Sequence, residues 1–433
     1  MTHGYWQEEW ECIDREALNE WQLAALKGTI AQAQQSSHYQ NTLKDVDIDA
    51  IESLDDLRKL PFTTKEDLRA NYPYGMAAVD LNDVVRLHSS SGTTGTPTVV
   101  LHTQNDLDAW ANQVARCMYM VGARSNDVFQ NTSGYGMFTG GLGFQYGAER
   151  LGCLTVPAAA GNTKRQVKFI TDFKTTVIHA IPSYATRLAE GIAELGIDPA
   201  KDTSLRILCI GAEPHTEGQR KRIEQLLGVK AYNCFGMSEM NGPGVAFECP
   251  EQNGLHIWED YVIAEIIDPV TLEPVPDGEV GELVLTTLRR EAMPLIRYRT
   301  RDLTRFLPGE CPCGRSHRRI DRFKGRSDDM IILKGVNIFP MQVERILMQH
   351  PELTSQYLIT LETVNDSDRM VLEVEISEKL PLEDYIAINK LTAQVTHDLR
   401  DELLLTPKVM LVEKGTIPQA EGKAVRVKDL RAK

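Results

Sequence analysis

Apolar positions recur near a 3.6-residue period from Arg15 to Gln34, where Leu18, Trp21, Ala25, Leu26 and Ile30 share a face, and this spacing predicts a helix. From about Val84 onward, short apolar runs alternate with longer amphipathic ones. VVRLHSS and PTVVLHT read as strands, and NDLDAWANQVARCMYMVG as a helix. CLTVPA, TVIHAIP and LRILCIG predict further strands, with TKRQVKFITDFK and SYATRLAEGIAELG as the helices between and after them. Strand and helix in turn over about 150 residues predict an α/β core with a largely parallel sheet.

The texture changes after Cys249. YVIAEIID, GELVLTTL and RYRTRDLTRFL are strand-like pieces separated by turn signals such as PVPDGEVG, which predicts a β-rich subdomain. RFKGRSDDMI then brings charges and a glycine between structured regions, a boundary signal. Beyond it NIFPMQVERILMQHP predicts a helix with Pro340 near its start. The strands SQYLITLET and MVLEVEIS, a helix over Asp384–Leu405 and a strand at KVMLVEKG complete a small α+β unit. The expected division is a large N-terminal α/β domain, residues 1–325, and a C-terminal domain, residues 326–433.

Composition narrows the class. A chain of 433 residues exceeds one ordinary core, and 42% hydrophobic with 25% charged residues is the balance of a soluble globular protein. The net charge of −14 argues against partners bound by bulk positive charge, so neither nucleic acid nor an anionic membrane is expected. Local cations and backbone N–H groups can still hold phosphates. No apolar run reaches the roughly 18 residues of a membrane span, and the acidic, amphipathic start lacks a signal-peptide pattern. Of eight cysteines, Cys117, Cys153, Cys209 and Cys234 stand singly in apolar surroundings and read as buried free thiols. A cytoplasmic location is the expectation.

The candidate chemistry begins with Ser89-Ser90-Ser91-Gly92-Thr93-Thr94-Gly95-Thr-Pro-Thr98, two glycines and seven hydroxyls between strand-like runs. Glycines let several N–H groups converge on one anion, and hydroxyls add donors, so the loop suits a polyphosphate. GxxxxGK[ST] is absent and a strand follows, so this is no Walker A loop. The plainer alternative is a polar hairpin turn. SSSGTTGTP resembles the phosphate loop of the adenylate-forming superfamily of acyl-CoA synthetases, luciferases and peptide-synthetase adenylation domains. The resemblance continues in order along nearly the whole chain. Thr98 stands where many members carry Lys, and a Thr there is also found in phenylacetate-CoA ligases.

The resemblance implies the other stations. Gly211, Ala212, Glu213 and Pro214 follow the strand LRILCIG and match the segment that packs on adenine. Tyr232-Asn-Cys234-Phe235-Gly236-Met237-Ser238-Glu239 matches the Tyr/Gly/Ser/Glu motif. There Glu239 holds Mg²⁺, a cation that needs hard oxygen ligands, and Ser238 and Gly236 lie beside the acyl phosphate. Asp302, in RYRTRD, matches the ribose-binding Asp; a charged edge strand is the structural alternative. Arg326 and Asp328 match the ribose-or-phosphate contact and the hinge of a small mobile C-terminal domain. Lys334 and Gly335 match the approach to the coenzyme A tunnel. Lys423, in the C-terminal Pro…GlyLys motif, matches the catalytic lysine, a fixed cation bridging carboxylate and α-phosphate.

GYGMFTGGLGFQYGAERLG, ECxxxxGLHIWED and the Cys-Pro-Cys-Gly segment resemble the phenylacetate-CoA ligase branch. Tyr135, Phe138, Gly140, Gly141 and Gly236 then become candidates for a flat aromatic-acid pocket, ordinary core being the alternative for the two aromatics. ATP, Mg²⁺ and coenzyme A are the implied cofactor set, and a homodimer the implied assembly. Transfer to a carrier-protein thiol or an amine, and a nucleotide-binding regulator without catalysis, are the competing readings. Lastly, Cys249, His256, Cys311 and Cys313 carry the donors of a tetrahedral zinc site, structural rather than catalytic, with His317 as a reserve ligand. Free thiols in a tight turn are the alternative.

Overall fold

The computed structural model describes residues 4–89, 96–137, 139–329, 331–333, 336–364, 367–377, 380, 384–403, 405–418 and 426–431. Two compact units emerge, one formed by Met1–Ala212 with Ile223–Arg322 and the other by Glu213–Arg222 with Phe323–Lys433. The short piece Glu213–Arg222 thus groups with residues far along the chain.

The first unit opens with a helix, Arg15–Ala33, whose Asp14 cap accepts from the Glu16 and Ala17 N–H groups. Leu18, Leu26 and Ile30 on it are fully buried. Two short strands, β1 (Arg86–Ser89) and β2 (Val99–His102), pair antiparallel with Ser89 opposite Val99. The main sheet is built from β3 (Val128–Asn131), β4 (Leu154–Val156), β5 (Val177–Ala180), β6 (Ile207–Gly211), β7 (Lys230–Met237), β8 (Gly242–Glu248) and β9 (Leu255–Ile257). A second, antiparallel group follows as β10 (Val262–Ile267), β11 (Gly281–Thr287) and β12 (Tyr298–Thr304). The short strands β13 (Phe306–Leu307) and β14 (Arg319–Ile320) return to the main sheet, whose order is β13-β14-β9-β8-β7-β6-β5-β3-β4.

Strands β4, β3, β5, β6 and β7 run parallel, and β8, β9, β14 and β13 continue antiparallel. β5 and β6 are buried along their whole length, and β6 reads as an unbroken apolar run while β5 is interrupted by His179. The sense changes at β7–β8, where a tight turn over Ser238–Met240 replaces a helical crossover.

Helices Gln104–Met120 and Thr139–Leu151 cover this part of the sheet. Their close approach depends on glycine: a Cβ at Gly143 would lie 2.4 Å from Trp110 Cζ2 and 2.6 Å from Pro243 Cγ. Trp110 is fully buried, its indole N–H donating to Pro243 O at 3.1 Å, so it has no room to move. Gly143→Ala is therefore expected to lower the unfolding free energy by about 2 kcal/mol. That net loss persists although alanine favours a helix interior by about 1 kcal/mol. Urea denaturation monitored by tryptophan fluorescence checks it.

In the second unit, strands Leu353–Val364 and Ser367–Ile376 pair antiparallel. Lys408–Val412 runs parallel to the latter and Val427–Asp429 parallel to the former. Helices Pro340–Leu347 and Tyr385–Leu403 supply Val343, Leu347, Val395 and Leu399 to a core shared with Tyr357 and Leu372. This is the expected α+β arrangement. Among the described residues no helix is long and apolar enough to cross a membrane.

Candidate active site and metal centre

The carboxyl ends of β3, β6 and β7 lie along one edge of the parallel sheet, the edge where open α/β sheets bind ligands. Gly211 sits there opposite Cys234, and a Cβ on it would lie 2.4 Å from Cys234 O. Ala212 turns the chain away with φ of 67°. Strand β7 carries Cys234, Phe235, Gly236 and Met237 to the same edge, with an irregular register against β8 between Phe235 and Gly236. Ser238 Oγ then lies 3.3 Å from Thr139 Oγ1, at the start of the helix that carries Gly140 and Gly141. From the end of β3, the Asn131 side-chain amide donates to Tyr135 OH at 3.1 Å and to Gly141 O at 2.6 Å. Burial raises the Tyr135 phenol above its usual value, so it stays protonated. Thr139 and Ser238, 99 residues apart in sequence, thus meet at this edge, with Tyr135 and Gly141 held nearby by Asn131.

Glu239 is 6% exposed, and its backbone carbonyl accepts from Arg290 Nη1 at 2.8 Å. Its carboxylate takes no hydrogen bond or ion pair from the described residues. A hard oxygen donor left open in this way fits Mg²⁺. Asp302 lies on β12, its N–H donating to Thr300 Oγ1 at 3.1 Å, next to Arg301 in the left-handed region at φ 68°. The arginines of RYRTRD are not an exposed edge. Arg297 pairs with Glu265 and Arg299 with Glu282, both at 2.8 Å, and both arginines are nearly buried. A cavity of about 480 Å³ lined by Arg15, Asn19, Arg58, Glu259 and Glu265 includes none of these site residues.

In the second unit stand Glu213 and Pro214, together with Arg326 and Asp328, whose side chains form a two-point ion pair at 2.8 and 2.9 Å. Ser90, Ser91, Gly92, Thr93, Thr94, Gly95, Phe138, Lys334, Gly335 and Lys423 lie outside the described residues. Sequence reasoning missed Asn131 and Arg290. Asn131 could have been found from its place at the carboxyl end of a strand. Arg290 lies in LRRE and reads locally as a solvated charge.

The antiparallel edge of the main sheet gathers a second cluster. Cys249 follows β8, His256 lies on β9, and Cys311 and Cys313 follow β13. All four are buried, and their donor atoms fall within 4.8 Å of one another. Cys249 Sγ and Cys311 Sγ are 3.6 Å apart, and Cys313 Sγ and His256 Nε2 3.3 Å. Tetrahedral zinc with sulfur ligands has edges of about 3.8 Å, so the spacing fits. The His256 Nδ1–H donates to His317 O at 3.0 Å, which fixes the ring and aims Nε2 at the thiols. Burial lowers the His256 imidazole, but the Cys311 and Cys313 thiols outweigh it and hold it up at about 9. His317 cannot serve the cluster: Nδ1 accepts from the Glu259 N–H at 3.1 Å and Nε2 faces Trp10 O at 3.0 Å.

Similarity to known proteins follows this geometry. The AMP-binding enzyme profile matches residues 21–288, and that of the AMP-binding enzyme C-terminal domain matches residues 335–431. The chain is 48% identical to the phenylacetate-coenzyme A ligase of Pseudomonas putida, over 88% of this chain and 87% of that protein. It is 45% identical to the phenylacetate-coenzyme A ligase of Aromatoleum evansii, over 98% and 97% of the two. The crystal structure of 2-hydroxyisobutyryl-CoA ligase in the postadenylation state with R3-HIB-AMP matches with a TM-score of 0.91 and 28% identity, covering 98% of this chain and 92% of that one. The chain belongs to the AMP-binding enzyme family and, within it, to the family of the phenylacetate-coenzyme A ligases.

Proposed function

We propose that this ligase adenylates an aryl-acetic acid, phenylacetate foremost, and passes the acyl group to coenzyme A. The carboxylate attacks the α-phosphate of ATP and pyrophosphate leaves; the thiol then attacks the acyl carbon and AMP leaves. The observation that carries this reading is the convergence of Ser238 and Glu239 with Thr139, Gly141 and Tyr135 at one sheet edge. Glu239, whose carboxylate takes no partner among the described residues, directly follows Ser238 there, and the similarity to four phenylacetate-coenzyme A ligases supports the acid. Mg²⁺, held by Glu239, supplies charge neutralisation on the phosphates. Ser90–Gly95 grip the phosphates, Gly211–Pro214 pack on the adenine, Gly236 and Ser238 lie beside the acyl phosphate, Asp302 holds the ribose, and Arg326 meets the ribose or a phosphate. Asp328 is the pivot between residues 1–325 and 326–433, and Lys334 and Gly335 meet the pantetheine arm.

The reading extends to zinc on Cys249, His256, Cys311 and Cys313, and to a homodimer in the cytoplasm, which light scattering and fractionation check. Pyrophosphate release across a panel of aryl acids, with and without coenzyme A, tests the reaction. Phenylacetate is expected to give the highest kcat/KM, with AMP released only when coenzyme A is present. An acyl-adenylate that coenzyme A never discharges would transfer the reading to a carrier-protein or amine acceptor.

A further inference from the structure

Arg290 is 6% exposed, yet no carboxylate lies within ion-pair distance of it among the described residues. Its guanidinium donates from Nη1 to Glu239 O at 2.8 Å and from Nη2 to Leu101 O at 2.9 Å. Leu101 belongs to β2, the strand that leaves the Ser89–Thr98 loop. Asp106 also acts on its charge, but the Asp106 carboxylate is taken by the N–H groups of Thr103, Glu291 and Ala292.

Beyond this longer-range influence of Asp106, the described residues around the cation add no negative charge in contact with it. Fully buried His102 has no hydrogen-bond partner on either ring nitrogen among the described residues, and burial, reinforced by Arg290, pushes it down to about 2, so it is uncharged. Among the described residues His88 leaves Nε2 unpartnered, and Arg86, opposite His102 in the hairpin, meets the Tyr146 hydroxyl and ring. Burying a guanidinium without a carboxylate is unfavourable, and a Met or Leu would fill the same volume without that penalty. Retaining the charge makes sense where an anion comes to it, and the loop that leads into β2 is the one assigned to the polyphosphate.

We propose that Arg290 is a positioning residue for the adenylation half-reaction, a planar cation that locks the Glu239 backbone to the phosphate-loop hairpin and sets a positive charge behind the bound phosphates. This rests on the assignment of Glu239 to Mg²⁺. A planar fork reaches two carbonyls in fixed directions, which a lysine ammonium cannot reproduce.

The test separates the two half-reactions in Arg290→Lys and Arg290→Met. Phenylacetate-dependent ATP–pyrophosphate exchange is expected to fall about tenfold in the lysine variant and about a hundredfold in the methionine variant. The Mg²⁺ concentration for half-maximal exchange should rise about threefold or more in both. Thioester formation from synthetic phenylacetyl-adenylate and coenzyme A should stay within about threefold of the parent. If thermal melting shows that the methionine variant does not fold, the lysine variant decides alone. Equal loss of both half-reactions, or an unchanged Mg²⁺ requirement, overturns the proposal. Glu239→Gln run in parallel keeps the failures apart. If it leaves the Mg²⁺ dependence unchanged, the metal assignment is wrong; if it shifts that dependence and Arg290→Lys does not, only the role of Arg290 is lost.

Discussion

Lys423→Ala is expected to lower phenylacetate-dependent ATP–pyrophosphate exchange by about a thousandfold, while coenzyme A still discharges synthetic phenylacetyl-adenylate within about threefold of the parent rate. The asymmetry follows from where charge develops. In the first step a carboxylate approaches an already anionic α-phosphate, and repulsion between the two opposes the attack. A single ammonium set between them removes that repulsion and aligns the attacking oxygen, and a chain of net charge −14 supplies no such compensation from its bulk field. In the second step a thiol, losing its proton, attacks a neutral acyl carbon, the acyl C–O bond breaks with its electron pair going to the departing AMP, and no repulsion between two anions opposes the attack. No cation is needed at that position. Lys423→Arg should recover little, because a broad planar guanidinium is a poor substitute for a compact point charge. Isotope exchange reads the first step and thioester absorbance the second. Equal losses in both would remove Lys423 from the chemistry and make it a residue that merely supports the C-terminal unit.

The elements that carry the site were legible where burial is complete. ILCIG reads as a strand because every residue of β6 is buried, and Gly211–Ala212 then falls at its carboxyl end, where ligands bind. The helix Thr139–Leu151 escaped sequence reading for an opposite reason. Glycines at 140, 141, 143 and 147 dilute its periodicity and oppose helix by about 1 kcal/mol each, so packing on Trp110, Val114 and Pro243 holds it. Of the residues read there as lining an aromatic acid, Gly140 and Gly141 lie in the first turn of this helix, Tyr135 precedes it, and Phe138 lies outside the described residues.

Contacts explain what motif reading could not supply. Arg290 acquires meaning only through carbonyls 51 and 189 residues away, a separation no local pattern encodes. The arginines of RYRTRD alternate as an exposed edge would, but Arg297 meets Glu265 of β10 and Arg299 meets Glu282 of β11. Legibility was better for the metal cluster, because its donor types are chemically restrictive even at irregular spacing. What the chain could not disclose was the sheet order that makes β8, β9, β14 and β13 neighbours, or that His317 is already committed to Glu259 and Trp10.

Cys313→Ser is expected to abolish stoichiometric zinc and to lower stability by about 3 kcal/mol or more, a fall of roughly 6–10 °C in Tm. Three thiols and an imidazole lie within 4.8 Å of one another, a spacing that suits one tetrahedral cation between them. The loop that bears Cys311 and Cys313 is also the anchor of the N-terminal segment. Tyr5 OH donates to Cys313 O at 3.1 Å, the Ser316 N–H to Glu11 O at 3.0 Å, and Arg315 forms an ion pair with Glu11 at 2.7 Å, both side chains buried. Loosening the loop therefore leaves Arg315 and Glu11 as buried charges without a fixed partner, which multiplies the cost of the lost ligand. Limited proteolysis should cut ahead of Arg15 in Cys313→Ser at a concentration of protease that spares the parent. Adenylation below the melting range should change by less than about threefold, because the cluster lies on the antiparallel side of the sheet and Glu239 at the carboxyl end of β7. Elemental analysis and calorimetry decide the matter. A parent protein without bound zinc, or a serine variant that melts with the parent, would leave the four side chains as a hydrogen-bonded thiol cluster and nothing more.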